Sequence, residues 1–476
     1  MNEPQHSGSG PAIRSRQGSR RRGFGVPDRI SLMAVLLVAA AMLLGGGGSS
    51  NPRMETVLQV TVAALVLAGL AMAHSGLRRA PHTVWMTAAP LVLLTLAQLV
   101  PLPPAVWRAL PGRVAERAAL DLVGAGADWM PLSMAPAATF AALLAIIAAV
   151  AIMLAVARLD VRGRMAVAVA IAVMASASIL LGALQLARVG GGTWALYQDV
   201  SAGWLIGFQA NRNAQADVLQ IGMLAVALIG MVRFKGRVAG RAHLLLIAAW
   251  LAVLVIGVVL TGSRAGIALL PVTAGFAVAI IWPRLNRKIA GLRLWVAGSA
   301  LTFASAIYGL TRIGVVQNVI GRFGSDDEGR WDFWIDAVYA LDKVWPWGSG
   351  IGTFAYAFIA AERLEMVHDR FPRRAHNDWL EWTVEAGLTG WIALALMLLA
   401  LVWSIRLAWR QWGAANPPDL VQRGQILFGI GVLVIESLHA LVDYPTRAMS
   451  LAALIAVAAA FVAPVALHVR DSAASR

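Results

Sequence analysis

A basic pair, a histidine and three carboxylates lie within thirteen residues of one another in the last quarter of the chain. The group comprises Arg373, Arg374, His376, Asp378, Glu381 and Glu385. A neutral imidazole accepts a proton from a hydroxyl near neutral pH, and a neighbouring carboxylate can orient it. His376 is therefore a candidate general base, with Glu381 and Glu385 in support. The alternative is structural: His376 would precede a helix start capped by Asn377 or Asp378.

Two arginines mark the ends of apolar runs elsewhere. Arg264 stands between two such runs with almost no connecting length. A guanidinium there could bind a diphosphate through two parallel hydrogen bonds. It could equally be an interfacial arginine whose charged end reaches the headgroups. Arg212 begins another run and is either a second phosphate contact or a solvated loop residue. Further candidates for contact with the same substrate are Asn211, Asn213, Arg330, Arg373, Arg374 and Asn377.

A third group of ionisable residues falls inside an apolar run. Glu436 and His439 share one helical face, and Asp443 follows at the end of the run with Arg447 nearby. Ionisable groups within a membrane are functional candidates by default. The alternative is a structural ion-pair network, which could include Arg264. No HExxH-like spacing occurs, and His368 lies eight residues from His376, so the spacing does not indicate a metal site.

The composition identifies the elements that must position these residues. The 476 residues are 59% hydrophobic and only 14% charged, with a mean hydropathy of +0.69, whereas soluble domains carry about 25% charged residues. Backbone groups in lipid must bond internally, so the apolar runs of about 20 residues predict membrane-spanning helices. The sequence predicts an all-α polytopic protein. The absence of cysteine excludes disulfides and thiolate chemistry.

Hydropathy predicts twelve transmembrane helices, nine within residues 30–311 and three within 387–468. The twelve spans are 31–48, 56–75, 84–101, 136–157, 165–187, 213–232, 243–261, 263–282, 293–311, 387–405, 424–442 and 447–467. With the amino terminus in the cytoplasm, the cytoplasmic segments hold 24 of the 40 Lys and Arg residues and five of the 25 acidic residues. The charge is then +19 inside and −4 elsewhere, which follows the positive-inside rule. The net positive charge therefore reflects the membrane topology of the chain, and nucleic acid is not an expected partner.

The same topology defines the tails and the outer loops. Residues 1–29 read as a disordered basic cytoplasmic tail before an uncleaved first span, because no small-residue cleavage site follows the arginines. Residues 469–476 form a second cytoplasmic tail. Residues 102–135, 188–212 and 312–386 are outer segments long enough to carry function. In the last of these, 330–344 reads as an amphipathic helix, 346–352 as a glycine-rich turn and 353–366 as a second helix, which together predict a folded cap.

Four motifs, in order along the chain, resemble those of the bacterial O-antigen ligase and polymerase family. They are Gly207–Asn213, Thr261–Gly266, Gly329–Trp331 with Trp345–Phe354, and His376–Glu381 with Glu385–Gly390. The second resembles the Ser-Arg-Gly/Ala signature of the family, and the last resembles its HN…E-x-G motif. Together the motifs cover roughly residues 200–445 and surround the large outer loop. Residues 1–200 match mainly in the pattern of spans.

The resemblance implies a C-type, metal-independent glycosyltransferase of the bacterial inner membrane that needs no cofactor. Such enzymes take a glycan from undecaprenyl diphosphate at the periplasmic face, in lipopolysaccharide or exopolysaccharide synthesis. Ligases pass it to lipid A–core, polymerases pass it to another carrier-linked unit, and relatives modify proteins; the sequence does not separate these. Carried over by position, Arg264 and Arg212 bind the carrier diphosphate and His376 assists the acceptor hydroxyl.

The main alternative is a transporter or flippase for lipid-linked glycans. Such a protein needs coupling groups near the bilayer centre. Asp217 and Glu436 are the only clear acids within the predicted spans, and the large outer loop has no evident role in transport. A non-enzymatic scaffold for envelope assembly is a third possibility. The sequence favours glycan transfer over both.

Overall fold

The computed structural model describes residues 28–48, 52–72, 79–187, 194–197, 200–232, 237–285, 330–367 and 373–466. Those ranges are almost entirely helical. In chain order the helices are α1 (Arg29–Leu44), α2 (Pro52–Met72), α3 (His82–Leu99), α4 (Pro104–Trp107), α5 (Val114–Leu122), α6 (Pro136–Ala157), α7 (Val161–Leu186), α8 (Arg212–Ile229), α9 (Arg237–Leu260), α10 (Arg264–Leu285), α11 (Arg330–Val344), α12 (Phe354–Ile359), α13 (Asp378–Ala414), α14 (Leu420–His439) and α15 (Met449–Phe461). Two short strands, β1 (Pro101–Leu102) and β2 (Met130–Pro131), pair antiparallel.

Seven helices of the described ranges are long and apolar enough to cross a bilayer, and all seven fall on predicted spans. They are α3, α6, α7, α9, α10, α13 and α14. Helices α1, α2, α8 and α15 occupy four further predicted spans but are shorter or more polar over the described residues. The predicted span 293–311 and the tail 469–476 lie outside the described residues, as does nearly all of the tail 1–29. The prediction of an all-α polytopic membrane protein is confirmed.

Helix α8 is more polar than the spans around it because it runs through the middle of the bundle. Every residue from Ala214 to Leu228 is buried, and α7, α9, α10 and α14 all pack against it. A helix that does not face lipid can carry polar side chains if they find partners. The Gln215 side chain accepts a hydrogen bond from Ser178 at 2.8 Å, and that of Gln220 accepts one from Thr273 at 2.5 Å.

The segments 100–135, 345–367, 373–377 and 440–448 meet at one end of the bundle, called the loop end below. The amide of Ser133 donates to the carbonyl of Gln98 at 2.9 Å, and that of Met134 donates to the carbonyl of Ser349 at 2.8 Å. The amide of Asp378 donates to the carbonyl of Ala440 at 2.9 Å. These backbone bonds join the outer segments, which are distant in sequence, into one surface above the spans.

The predicted cap is folded, with one difference in its helices. Helix α11 covers 330–344 as predicted. The predicted helix 353–366 is instead α12, followed by a separate 3₁₀ turn at Leu364–Met366. An apolar cluster that includes Phe354 and Phe358 of α12 packs against α11 and the start of α13. The side chain of Asp336 in α11 is buried and pairs with Arg363 at 2.5 Å.

Candidate functional site

His376 has an unusual backbone conformation immediately before α13. Its φ is +49°, and no other residue except glycine has a positive φ in the part of the chain that the structure describes. A non-glycine residue in this left-handed region costs of order 1–3 kcal/mol, and such strain concentrates at functional sites. The conformation places the imidazole against the turn after α14. There Nδ1 lies 3.3 Å from Oδ1 of Asp443, and the ring meets Tyr444 edge-on with centroids 4.9 Å apart.

The helix cap predicted beside His376 is made by Asn377. Its side-chain oxygen accepts from the Leu380 amide at 3.0 Å, which satisfies one of the amide groups that the first helical turn leaves without a partner. The cap does not use the imidazole of His376, which instead contacts Asp443 and Tyr444. Asn377 therefore caps the helix, and His376 stays the candidate general base. A substrate contact through Asn377 also stays a prediction.

Asp443 supplies the carboxylate that orients His376. Burial raises the pKa of Asp443, but the hydrogen bond to His376, the nearby His439 and a hydrogen bond to Asn213 together hold that pKa below its usual value. The carboxylate is therefore ionised at neutral pH and can accept a hydrogen bond from Nδ1–H of His376. In the neutral tautomer that carries this proton, Nε2 keeps its lone pair, as a general base requires.

Tyr444 connects this pair to the segment before α8. Burial, with a smaller effect of the Asp443 charge, raises the pKa of Tyr444 to about 12, so its hydroxyl stays neutral. That hydroxyl lies 3.2 Å from Nδ2 of Asn211. Because Asn213 bonds Asp443, the asparagines on both sides of Arg212 lie beside the His376 pair. The sequence analysis missed Tyr444, although it directly follows Asp443.

Arg447 forms the centre of a buried ion-pair network that fixes the start of α13. Its guanidinium lies 2.8 Å from Glu385, 3.2 Å from Glu381 and 3.5 Å from Asp378. Burial lowers the pKa of Arg447, but the charges of Glu381, Glu385 and Asp378 outweigh burial and raise it above its ordinary value. Arg374 adds a second cation, 2.7 Å from Glu381. The carboxylates nearest to His376 in sequence are thus held by arginines, while Asp443 contacts the imidazole.

Removing Arg447 should destabilise the protein strongly, because it would leave three carboxylates close together without their cation. Breaking a buried ion pair costs about 3–5 kcal/mol, and we expect Arg447→Met to lose this much at pH 7. At pH 5 the loss should be smaller, since acid neutralises carboxylates. Thermal unfolding in detergent at both pH values measures the effect.

Arg108→Met is the matched control: Arg108 and Asp121 are far more exposed, and such a pair contributes at most about 1 kcal/mol. Equal losses in the two variants would contradict the structural role of Arg447.

A break in α13 lets the glycine-rich turn of the cap dock beside this network. Gly387 has φ +55° and ψ −147°, which interrupts the helix. The amide of Leu388 donates to the carbonyl of Pro346 at 2.8 Å, and that of Gly350 donates to the carbonyl of Glu385 at 2.8 Å. A Cβ at Gly348 would lie 2.4 Å from the carbonyl oxygen of Glu385, so only glycine fits there. Because the helix is interrupted at Gly387, the cap can bond to the residues of α13 on either side of the break.

The group formed by Glu436 and His439 lies between α8 and α14. The partner that the structure shows for His439 is Asp217, with Nδ1 and Oδ1 2.5 Å apart and both side chains buried. Glu436 is also buried, and neither oxygen of its carboxyl has a hydrogen-bond partner within the described ranges. The group adjoins the His376 pair, because the amide of Asp443 donates to the carbonyl of His439 at 3.0 Å.

Arg264 and Arg212, predicted to bind a diphosphate, are the first residues of α10 and α8. The guanidinium carbon of Arg212 lies 5.2 Å from the centroid of the Trp204 ring. The backbone just before Arg264 approaches the same ring, since a Cβ at Gly262 would lie 2.3 Å from it. Trp204, which the sequence analysis missed, thus packs against both segments. Helix amino termini favour anions, so both arginines stand where a phosphate would be attracted.

The remaining residues predicted to contact the substrate are Arg330, Arg373 and Arg374. Arg374 is engaged by Glu381, and Arg373 is exposed. Arg330 begins α11, but its side chain lies outside what the structure describes. Among the described residues no group of three His, Cys, Asp or Glu has the arrangement of a metal site.

One comparison with known proteins bears on these residues. The family model for O-antigen ligase matches residues 247–395. The match runs from α9 into α13, includes Arg264, His376 and Glu385, and ends before Asp443. It confirms the resemblance to the O-antigen ligase and polymerase family and supports, at the level of the family, an enzyme that transfers glycans and acts on lipid-linked glycan substrates. No curated protein matches the chain.

Proposed function

We propose that this chain, whose residues 247–395 match the O-antigen ligase family, transfers a glycan from undecaprenyl diphosphate to an acceptor hydroxyl. The acceptor is lipid A–core for a ligase or a carrier-linked glycan for a polymerase. The observation that carries the proposal is the pair formed by His376 and Asp443, which lie 3.3 Å apart at the loop end of a membrane bundle. It combines a strained, half-buried imidazole with an ionised carboxylate, as a base for a hydroxyl requires.

The proposed reaction divides the work between two parts of the loop end. Nε2 of His376 takes the proton of the acceptor hydroxyl while the oxygen attacks the anomeric carbon of the donor sugar. The bond from that carbon to the phosphate oxygen breaks, and the diphosphate leaves with the electron pair. Arg264 and Arg212 would stabilise the charge that develops on the diphosphate, as preplaced donors do in a site with little water. No step requires a metal ion from the protein.

Asp443 would act as a positioning residue in this scheme. Its carboxylate fixes the tautomer of His376 and stabilises the imidazolium that forms when the proton is taken. Because its pKa is held low, Asp443 would keep its charge across the working pH range.

The charge distribution supports a periplasmic location for the loop end. With the loops outside, the cytoplasmic segments carry +19 and the rest of the chain −4, and such asymmetry orients membrane proteins. A carrier-linked glycan already on the outer face would meet His376 there. We therefore propose that the protein resides in the bacterial inner membrane with both termini in the cytoplasm.

Reporter fusions should confirm this topology. A phosphatase fused after Ser325 is expected to be active, because that enzyme folds outside the cytoplasm. A fluorescent protein fused after Gly236 is expected to fluoresce inside. An inactive phosphatase after Ser325 would place His376 on the cytoplasmic side and contradict the proposed donor.

The second candidate function is transport of a lipid-linked glycan. It is favoured by the buried Asp217–His439 pair and by the carboxyl of Glu436, for which the described residues provide no hydrogen-bond partner, since transporters use such groups for coupling. Proteoliposomes with a carrier-linked donor and an acceptor on the same face separate the two functions. Transfer predicts a covalent glycan–acceptor product without any movement of the donor. Transport predicts movement across the bilayer and no new glycosidic bond.

A further inference from the structure

The short helix α5, in the first outer segment, exposes its apolar side. Its exposed residues are Val114, Ala115, Ala118, Ala119 and Leu122, which have no polar side-chain atoms, and Asp121 at the edge of this face. Val114 is 69% exposed, Leu122 is 89% exposed, and the adjoining Val123 is 75% exposed. No residue of α5 is fully buried. A helix on a water-facing surface has the opposite pattern, with charged residues outward and apolar residues inward.

The polar side of α5 is fixed to the rest of the protein. Asp121 receives two hydrogen bonds from Arg108, at 2.7 and 2.9 Å. Arg117 donates to the carbonyl of Arg108 at 3.0 Å, and Glu116 pairs with the buried Arg113. These contacts hold Arg117 and Glu116 on the side away from the exposed apolar residues, while the paired Asp121 stays 51% exposed at the edge of that face.

This helix belongs to a segment that leaves and re-enters the membrane bundle within a short distance. The segment begins at β1, directly after α3, and returns at β2, shortly before α6; both flanking helices are long and apolar enough to span a bilayer. The exposed surface of α3 is apolar up to its end, with Leu93 63% and Val100 53% exposed. Val106, 46% exposed, continues this surface toward α5. Exposed apolar residues thus follow the chain from the end of α3, a helix able to span a bilayer, to α5, which indicates lipid as what covers them.

We propose that α5 is an interfacial helix whose apolar face is inserted in the phospholipid leaflet at the loop end. Amphipathic helices of this kind lie in the plane of the membrane with their apolar face about 5–10 Å into the boundary between headgroups and acyl chains. Trp129, 62% exposed, is a second anchor, because indole rings favour this depth. The occupant of the apolar face is thus lipid, and neither a second copy of the chain nor another protein covers it.

The anchor has a consequence for the candidate site, which rests on the proposed function. Gly112, just before α5, is tightly packed against the end of α11, since a Cβ there would lie 3.0 Å from the carbonyl of Lys343. The amide of Met134 donates to the carbonyl of Ser349 in the glycine-rich turn at 2.8 Å. Lipid insertion of α5 would therefore fix the height of the cap above the membrane, where a carrier-linked donor presents its diphosphate.

Spin-label accessibility tests the insertion directly and does not depend on activity. The chain has no cysteine, so Leu122→Cys can carry a single nitroxide, and the 89% exposure of Leu122 leaves room for the label. The protein is reconstituted in nanodiscs of phosphatidylethanolamine and phosphatidylglycerol. Collision with oxygen, which concentrates in lipid, is compared with collision with a water-soluble nickel chelate. Asp128→Cys, an exposed polar position in the same segment, is the matched control.

We expect the ratio of oxygen to nickel accessibility to be several-fold higher at position 122 than at position 128. High nickel accessibility at both positions would show that α5 faces water and would overturn the proposal. Exclusion of both reagents at position 122 would show that protein covers the helix, and this result would also overturn it. Either failure would leave the proposed glycan transfer untouched, because that reaction is tested by its product.

Discussion

Replacing His376 with alanine is expected to lower the rate of glycan transfer by about 10²–10⁴-fold, the usual contribution of a general base. The physical reason is the pair with Asp443: the ionised carboxylate holds the proton of Nδ1 and leaves Nε2 free to accept the proton of the acceptor hydroxyl. Alanine removes the acceptor but leaves the arginines that would bind the diphosphate. Donor binding should therefore be largely retained. The rate is measured with carrier-linked donor and acceptor on purified, folded protein.

A helix cap outside the candidate site supplies a control for this variant. Asp160→Ala removes the hydrogen bond to the Gly163 amide at the start of α7 and should cost about 0.5–2 kcal/mol of stability, as other caps do, while turnover per folded molecule stays near normal. Asp443→Asn tests positioning, and it should shift the pH profile of the rate because the imidazole loses its anionic partner. If His376→Ala lowered the folded yield but turned over normally, the histidine would have a structural role only.

Local patterns in the sequence were sufficient to predict most of the helices. The span 136–157 and the amphipathic helix 330–344 coincide with α6 and α11, because hydropathy and helical spacing are properties of adjacent residues. The predicted helix 353–366 failed for a reason that is not local. Phe354 and Phe358 bury into the apolar cluster of the cap, and the chain leaves the helix soon afterwards to place Arg363 beside the buried Asp336.

The residues of the site were found more readily than their partners. His376 was identified from its own segment, but the carboxylate that contacts it comes from a turn 67 residues later. Likewise His439 pairs with Asp217, 222 residues away. Such pairs depend on how α8 and α14 pack, which a single sequence does not specify. A signal for Tyr444 did exist, because it stands between Asp443 and Arg447 in the short polar run that separates two apolar helices.

The distribution of arginines also explains why a basic segment is not automatically a phosphate site. Arg374 and Arg447 both contact Glu381, so their charges are largely balanced by buried carboxylates. Arg264 and Arg212 begin two helices that approach a shared tryptophan, and helix amino termini favour anions. An anionic donor should therefore be drawn toward α8 and α10, and the network around Arg447 should serve stability.

This division leads to the second large effect, expected for Arg264→Lys. A lysine keeps the charge but presents a single ammonium, which cannot form the two parallel hydrogen bonds of a guanidinium with a diphosphate. Removing one donor that stabilises charge in a transition state costs about 10²–10³-fold in rate. We expect a loss of that size in transfer, with normal membrane insertion and a normal folded yield. The measurement is the transfer rate at saturating donor, together with the amount of folded protein.

The control separates a specific contact from a general effect of positive charge. Arg410→Lys makes the same exchange at an exposed position near the far end of α13, outside the candidate site, and should leave the rate unchanged. Arg212→Lys should lower the rate as well, because Arg212 begins the neighbouring helix and would bind the same diphosphate. Near-normal transfer by Arg264→Lys would reduce Arg264 to an interfacial cation, since a headgroup contact is satisfied equally by an ammonium. Suppose that Arg264→Lys instead raised the KM for the donor and left kcat unchanged. That result would contradict stabilisation of the leaving diphosphate and assign the arginine to ground-state binding of the donor.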